Sequence, residues 1–166
     1  MTGPVVIRPE RPGDRDAIFA VHRAAFGQEA EAALVDRLRA DGDLVLSLVA
    51  MDGEDLVGHV AFSRLAVQAG RAAAVAPVGV VPARRRQGIA ASLIREGLAR
   101  LTEDGQDLVL VLGEPAYYGR FGFTAEAATP LETPYDGPYQ QALALTERGR
   151  GMAGDIRYAA AFAELG

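Results

Sequence analysis

The residues best suited to chemistry form a short basic turn between an apolar run and a helical pattern. In order, the turn reads Arg84, Arg85, Arg86, Gln87, Gly88, Ile89 and Ala90. The run before it, Val78 to Val81, favours a strand that Pro82 ends, and apolar residues recur at helical spacing from Gly88 onward. The first N–H groups of a helix are unpaired and lie at the positive end of its dipole, so they can hold an anion. We therefore expect the turn to bind an anionic group, with phosphate as the natural candidate.

A second group of polar side chains is expected to face this turn. The helix after the turn carries an apolar stripe from Ile89 to Leu101, and the almost wholly apolar run Asp107 to Leu112 follows it. Such a run is typical of a buried strand parallel to the strand before the helix. Ligands bind beyond the carboxyl ends of parallel strands, where the loop after the second strand faces the first turn. That loop, Gly113 to Phe123, contains Tyr117 and Tyr118, which are candidates for an acid or a hydrogen-bond donor.

The remaining elements predict a sheet with helices around it. Two helical patterns come early, around Ile18 to Ala25 and over Glu29 to Arg39. Tight turns join the runs between Leu44 and Val81, so we expect these strands to pair antiparallel. The runs with strand character are Val5 to Ile7, Leu44 to Met51, Leu56 to Ser63, Leu65 to Val67, Arg71 to Val81, Asp107 to Leu112, Tyr139 to Leu145 and Ile156 to Phe162. We expect the last two to complete the sheet.

Composition limits the classes of protein that the chain can belong to. Its 166 residues suit a single domain, 1–166, because no repeat, linker or low-complexity segment divides them. The absence of cysteine excludes thiol catalysis, and two isolated histidines predict no metal site. No apolar run approaches the roughly 20 residues that cross a bilayer, and no basic region with an apolar core opens the chain, so we expect a cytoplasmic protein. The net charge of −5 argues against a nucleic-acid binder, so we interpret the arginine cluster as a local feature.

The motif residues together resemble a known family. The run Val78-Gly79-Val80-Val81-Pro82, followed by Arg85-Arg86-Gln87-Gly88-Ile89-Ala90, resembles the acetyl-coenzyme A motif Gln/Arg-x-x-Gly-x-Gly/Ala of the GNAT superfamily of N-acetyltransferases. The segment Tyr118-Gly119-Arg120-Phe121-Gly122-Phe123 is similar to the family's Tyr-x-x-x-Gly-Phe, and Leu112 to Tyr118 resembles its YhbS-like bacterial branch. The resemblance implies an α/β (α+β) fold, with a GNAT-like mixed, mostly antiparallel central sheet of about seven strands. Helices flank this sheet, and one parallel strand-helix-strand unit lies within it.

The resemblance also implies an activity and the residues that serve it. The activity is transfer of an acetyl group from acetyl-coenzyme A, a cosubstrate, to a primary amine of a small molecule or a protein or peptide by direct attack, without a metal. The implied partners of the pantetheine arm are backbone groups of the central strand, at Val78, Gly79 and Val80. The implied pyrophosphate site is the backbone of the turn, at Arg85, Arg86, Gln87, Gly88, Ile89 and Ala90. Tyr118 matches the tyrosine with which family members protonate the leaving thiolate, and Tyr117 is its close rival.

Several positions depart from the family's pattern. Arg86 stands where glycine is common, and Ala90 replaces the final glycine. Gly113 and Glu114 replace an asparagine that often follows the fifth strand. No carboxylate lies between Arg71 and Val81, where some relatives place a glutamate that acts as base, so deprotonation of the amine through water is expected.

Other interpretations remain open at this stage. The motif fits a non-catalytic module that binds acyl-coenzyme A as a sensor or within a complex, and Tyr118 can equally pack its ring in the core. His59 and Glu114 are weaker candidates for the base. His22 lies on the apolar face of the first helix, where packing in the core is the simpler role.

The acceptor has the weakest signal in the sequence. Glu29 and Glu31, at the start of the second helix, and Asp136, in a proline-containing loop, hint at a cationic amine. A solvated helix start explains the two glutamates more simply. The state of assembly is open as well, a homodimer being one option.

Overall fold

The computed structural model describes residues 4–135 and 137–165, and in this part the chain forms eight strands and six α-helices. The strands are β1 (Val6–Pro9), β2 (Leu44–Asp52), β3 (Asp55–Leu65), β4 (Ala72–Val80), β5 (Leu108–Leu112), β6 (Leu131–Glu132), β7 (Gln140–Ala144) and β8 (Gly154–Asp155). The helices are α1 (Arg15–Phe26), α2 (Ala30–Ala40), α3 (Ile89–Glu103), α4 (Pro115–Tyr118), α5 (Ala125–Ala128) and α6 (Glu147–Arg150). Short 3₁₀ helices occupy Pro12–Asp14, Pro82–Arg84, Gly119–Phe121 and Ala160–Leu165.

One mixed sheet forms the centre of the molecule. Its strand order is β1-β2-β3-β4-β5-β7, and all neighbours pair antiparallel except β4 and β5, which α3 connects in parallel. This confirms the predicted mostly antiparallel sheet with one parallel strand-helix-strand unit. The sheet has six strands within the described residues, not about seven, while β6 and β8 form a separate parallel pair.

The prediction of a last strand over Ile156 to Phe162 is wrong. Arg157 makes a single bridge to Ala66, and the chain then turns into the 3₁₀ helix Ala160–Leu165. A short apolar run of this kind does not distinguish a strand from a buried helical turn. Ile156 and Phe162 are nevertheless buried, so the run contributes to the core without joining the sheet.

Helices cover the two faces of the sheet differently. On one face, α3 packs Ile89 and Leu93 against alternate residues of β4 and β5, such as Val75 and Val111. On the other face lie α1, α2 and the C-terminal segment, where Ala76 packs into a cluster with Leu34, Leu38, Ala161 and Phe162. Alternate side chains of a strand point to opposite faces, which is why neighbouring residues of β4 belong to different clusters.

Strands β4 and β5 separate partway along their length, and this separation positions the site. Their parallel pairing extends from Ala72 and Leu108 to Val75 and Val111, where it ends. Beyond that point β4 continues to Val80 while pairing with β3 on its other side. The edge of β4 that faces β5 is therefore open after Val75.

Candidate functional site

The open edge of β4 offers backbone hydrogen-bonding groups to a ligand. The N–H of Val81 donates to the carbonyl oxygen of Val57 on β3, at 3.0 Å. Successive residues of a strand direct their N–H and C=O groups to opposite edges. The backbone groups of Val80 and Val78 therefore point away from β3, toward the gap left by β5. Two of the three positions predicted to contact an extended ligand arm therefore face the gap, while the backbone groups of the third, Gly79, point to β3.

The turn after β4 leads directly into the uncapped start of α3. Gly88, the residue before the helix, has a left-handed φ of 79°, and no side chain of the described residues caps the first turn. A Cβ on Gly88 would find nothing within 4 Å, so the space over the turn is open. The first N–H groups of this 15-residue helix thus face open space beside Gly88, an arrangement that fits a phosphate group.

The three arginines of the turn have different surroundings. Arg84 is buried, donates from Nη1 to Asp52 Oδ2 at 2.6 Å and from Nε to Gln87 Oε1 at 2.8 Å. It therefore holds the turn to the end of β2 and also occupies the Gln87 side chain. Arg85 donates from Nη2 to the backbone oxygen of Ala25 at the end of α1. Arg86 is exposed, has a left-handed φ of 64°, and makes no hydrogen bond or ion pair with any described residue.

A cleft of about 430 Å³ collects most of the predicted binding residues. Those that line it are Val78, Gly79, Val80, Arg85, Arg86, Gly88, Ile89 and Ala90, while Gln87 does not. Ala25 and Phe26 of α1 form one further wall, and Tyr117 and Arg120 form another. Arg120 lies over the Tyr117 ring, 4.4 Å from its centroid, so cationic groups border the cleft on two sides.

The two adjacent tyrosines occupy different environments. Tyr117 lines the cleft, whereas the Tyr118 ring packs among Phe121, Phe123 and the core under α3. Burial raises the pKa of Tyr118 to about 12, with a smaller contribution from Tyr117. Burial also raises the pKa of Tyr117. Both phenols are therefore protonated at neutral pH and able to donate.

Gly113 accounts for one departure from the family's pattern. A Cβ at this position would lie 2.4 Å from Cε2 of Tyr118, so the tyrosine ring rests directly on the Gly113 backbone. An asparagine here would displace that ring. The glycine after β5 therefore leaves the space that the Tyr118 ring occupies.

A buried chain of hydrogen bonds connects the floor of the cleft to the other end of α1, and sequence reasoning missed it. His22 Nε2 lies 2.7 Å from His59 Nδ1, and His59 Nε2 lies 2.7 Å from Ser47 Oγ. Ser47 Oγ donates to Glu10 Oε1 at 2.6 Å, and Glu10 forms an ion pair with Arg39. The signal in the sequence was weak, because the two histidines lie 37 residues apart on different elements.

The ionised end of this chain fixes the position of every proton in it. Burial alone would raise the pKa of Glu10, but hydrogen bonds from Arg39 and Ser47 outweigh it and lower that pKa. A carboxylate only accepts, so Ser47 donates to Glu10 and must accept from His59 Nε2–H. His59 Nδ1 then accepts from His22 Nε2–H. This leaves His22 Nδ1 as an unprotonated nitrogen with no partner among the described residues.

That free nitrogen lies directly behind β4. A methyl group on Gly79 would come within 2.8 Å of His22 Nδ1. Burial lowers the pKa of His22 to about 4. Burial, followed by the neighbouring His22, lowers the pKa of His59 well below its ordinary value. Both histidines are therefore neutral at physiological pH, and Gly79 is the residue small enough to lie against them.

The other candidate residues lie outside this arrangement. Glu31 accepts from Gln28, Glu29 is an exposed ion-pair partner of Arg23, and Glu114 is exposed before α4. Asp136 lies outside the described residues. Within residues 4–135 and 137–165, no cluster of three or more His, Asp or Glu side chains could hold a metal ion. No helix in that part is long and apolar enough to cross a membrane.

Comparisons with known proteins agree with this geometry. The profile described as the Acetyltransferase (GNAT) domain matches residues 6–125. The uncharacterized N-acetyltransferase YhbS of Escherichia coli (strain K12) is 43% identical over 136 residues, which cover 80% of this chain and 81% of YhbS.

Two solved structures extend the match to the whole fold. The crystal structure of YhbS from Escherichia coli, in complex with CoA, has a TM-score of 0.90 at 39% identity and covers 100% of this chain and 97% of that one. A GNAT family acetyltransferase from Brucella melitensis, in complex with acetyl-CoA, has a TM-score of 0.81 at 38% identity, with coverage of 96% and 98%. The resemblance deduced from the motif residues is confirmed, and the chain belongs to the GNAT family of N-acetyltransferases.

Proposed function

We propose that this protein transfers the acetyl group of acetyl-coenzyme A to a primary amine of a small molecule or of a protein or peptide. One observation carries the proposal: the open backbone edge of β4 leads, within one cleft, to the uncapped N-terminus of α3. Acetyl-coenzyme A has the same order of parts, because its extended pantetheine arm leads to a pyrophosphate. The relatives from Escherichia coli and Brucella melitensis, whose crystals contain CoA and acetyl-CoA, support the assignment.

The residues that would hold acetyl-coenzyme A divide into two groups. Backbone groups of Val78 and Val80 would bind the pantetheine arm along the open edge, with Gly79 lining the cleft between them. The turn would bind the pyrophosphate through its backbone, at Arg85, Arg86, Gln87, Gly88, Ile89 and Ala90. Arg86 adds a cation that has no partner among the described residues, while Arg84 fixes the turn to the end of β2.

The chemistry is acyl transfer by direct attack. Acetyl-coenzyme A, when bound, supplies a thioester carbonyl as electrophile and a thiolate as leaving group. Backbone N–H groups on the open edge of β4 would donate to the oxyanion of the tetrahedral intermediate. Tyr118 would donate its phenolic proton to the thiolate, and its raised pKa means that the phenol carries this proton at neutral pH. With no carboxylate between Arg71 and Val81, the amine would lose its proton through water.

Tyr117 remains the rival acid, since it lines the cleft directly. Single Tyr118→Phe and Tyr117→Phe variants distinguish the two, because each loses one hydroxyl and keeps its ring packing. We expect Tyr118→Phe to lower kcat by roughly 10²-fold, which is typical of a lost general acid, with KM for acetyl-coenzyme A little changed. Full activity in Tyr118→Phe would remove it from the mechanism.

The binding site is tested by two matched glycine variants. Gly88 and Gly42 both have left-handed φ values, 79° and 75°, and open space around the missing Cβ. Leucine at either position therefore introduces similar backbone strain, but only at Gly88 does it fill the proposed phosphate cradle. We expect calorimetry to detect acetyl-coenzyme A binding to Gly42→Leu and none to Gly88→Leu. Equal affinities of the two variants for acetyl-coenzyme A would contradict the assignment of the phosphate site to Gly88.

A second candidate function is a non-catalytic module that binds acyl-coenzyme A. It shares the cleft but requires neither tyrosine. Thiol release from acetyl-coenzyme A over a panel of amines separates the two, because only the enzyme produces free thiol. We further propose that residues 1–166 act as one domain in the cytoplasm. Analytical ultracentrifugation with and without acetyl-coenzyme A tests the suggested homodimer.

A further inference from the structure

A small apolar pocket lies where β4 and β5 separate, on the face of the sheet opposite α3. Its volume is about 200 Å³. Ala74, Ala76 and Leu110 contribute the sheet side, and these residues pack with the clusters of α2 and the C-terminal segment. The cleft described above begins at Val78, two residues after Ala76 and about 7 Å along the strand. The pocket and the cleft therefore border consecutive stretches of β4, on either side of the point where its pairing with β5 has ended.

Aromatic rings form the outer wall of this pocket. The Tyr135 and Tyr158 rings meet edge to face with centroids 5.0 Å apart, and the Tyr158 and Phe162 rings do so at 5.3 Å. No lining residue of the pocket carries a charge. The walls thus complement an apolar or aromatic group. A cavity of about 150 Å³ holds a benzene molecule, so this one suits a group of slightly larger size.

One of the residues that line the pocket, Tyr158, has a polar group without a partner in the described part of the chain. The Tyr158 hydroxyl is buried and makes no hydrogen bond with any described residue. Leaving a buried hydroxyl unpaired is unfavourable, and such groups require an explanation. Burial raises the pKa of Tyr158, so the phenol is neutral at physiological pH and can both donate and accept. It is suited to a neutral amine, which also donates and accepts.

We propose that this pocket binds the acceptor, and that the acceptor is a primary amine with an aromatic or apolar body about the size of a phenyl group. This inference rests on the proposed acetyl transfer and specifies its second substrate. On binding, the Tyr158 side chain shifts so that its buried hydroxyl reaches the neutral amine nitrogen beside the gap, and the body of the acceptor lies against the three rings.

The same pocket explains how the reaction proceeds without a carboxylate base on β4. An apolar environment disfavours an ammonium ion and lowers its pKa. The acceptor therefore enters in its neutral form and leaves its proton in water. Its nitrogen forms a bond to the acetyl carbonyl carbon, the carbon–sulfur bond breaks, and the second amine proton leaves to water while the thiolate takes a proton from the acid. Binding of such an acceptor does not require Glu29 and Glu31, which the sequence suggested as contacts for a cationic amine.

The pocket is present in the free chain, so binding can be measured without acetyl-coenzyme A. The probe is 2-phenylethylamine, with 1,5-diaminopentane as a dicationic comparison without a ring. We expect calorimetry at pH 9 to detect 2-phenylethylamine only. Leu112→Trp, which adds bulk at an exposed lining position, should abolish this binding, whereas Val6→Trp, which introduces tryptophan at a more exposed position on β1, should preserve it.

Tyr158→Phe removes only the unpartnered hydroxyl, so the fold should keep its stability. We expect a roughly five- to tenfold higher Kd and KM for 2-phenylethylamine, the effect of one neutral hydrogen bond. The control Tyr139→Phe, at an exposed position outside the pocket, should change neither constant. Identical binding in Leu112→Trp, Tyr158→Phe and the parent protein would overturn the proposal.

Thiol release separates this inference from the proposed function. If the protein releases thiol with 1,5-diaminopentane but not with 2-phenylethylamine, acetyl transfer stands and the pocket assignment fails. If 2-phenylethylamine binds in the pocket but no amine elicits thiol release, the binding site stands and the proposed function fails.

Discussion

The buried histidine pair makes the stability of the fold depend on pH in a window where few other groups titrate. The chain has only two histidines, and both become neutral and buried on folding. The pKa of His22 is about 4 in the folded state, against about 6.5 in an unfolded chain. As the pH falls below about 6.5, His22 binds a proton in the unfolded chain but not in the folded chain. The free energy of unfolding therefore decreases from neutral pH downward, until His22 itself protonates near pH 4.

The magnitude follows from these two pKa values. Between pH 8 and pH 5, the proton uptake of an unfolded His22 should reduce the free energy of unfolding by about 2 kcal/mol. His59 shifts in the same direction and adds to the loss. Carboxylates with lowered pKa values, such as Glu10, Asp14 and Asp107, lose their contributions only at lower pH. The interval from pH 8 to pH 5 thus isolates the histidines.

Urea unfolding of the parent protein and of His22→Leu at pH 8, 6.5 and 5 measures the effect. At pH 8 the variant should be less stable, since His59 loses its hydrogen-bond donor. The difference between the two proteins should shrink by about 2 kcal/mol by pH 5, because the variant no longer carries the titrating group. A difference that stays constant over this range would refute the assignment of His22 as a buried neutral base. In the ¹⁵N spectrum of the folded protein, His22 Nδ1 should be unprotonated.

Three further substitutions test the packing around the cleft. Gly79→Ala places a methyl group 2.8 Å from His22 Nδ1 and should cost about 1–3 kcal/mol in urea unfolding; unchanged stability would show that His22 moves freely. Gly97→Ala places a methyl group 2.3 Å from the fully buried Phe62 ring. We expect the same urea assay to show a free energy of unfolding lower by about 3 kcal/mol or more, although alanine has the better helix propensity. Arg84→Met leaves Asp52 unpaired and should cost about 2 kcal/mol, between the values for exposed and fully buried pairs, and calorimetry should detect weaker acetyl-coenzyme A binding.

The sequence predicted the parts of the site that are local in the chain. Three of these parts are neighbours in sequence: the strand that ends before Pro82, the glycine before the helix, and the amphipathic pattern of α3. Their geometry therefore follows from turn chemistry and periodicity. Most residues predicted for the turn line one cleft as a result. The six-stranded sheet was also close to expectation, because tight turns determine antiparallel neighbours.

The parts that sequence reasoning could not supply depend on distant contacts. Ile156 to Phe162 has too few residues to reveal a period, and its 3₁₀ ending depends on packing against α2. The bond between His22 and His59 requires α1 to lie across β3, which neither element encodes alone. The same holds for Gly113, whose small size matters only because the Tyr118 ring turns back over it.

Long-range contacts explain why the proposed phosphate-binding turn keeps its shape despite two departures from the glycine-rich pattern. Arg84 fastens the turn to the end of β2, and Arg85 fastens it to the end of α1. Arg86 occupies a left-handed conformation that costs about 1 kcal/mol for a residue with a side chain, and these two attachments provide the compensating interactions. A glycine at position 86 would need no such support but would add no charge at the cleft. The first two arginines hold the turn so that the third can stand where glycine is common. Among the three arginines, Arg86 is the one whose cation has no partner in the described part of the chain, which fits the proposed anionic ligand.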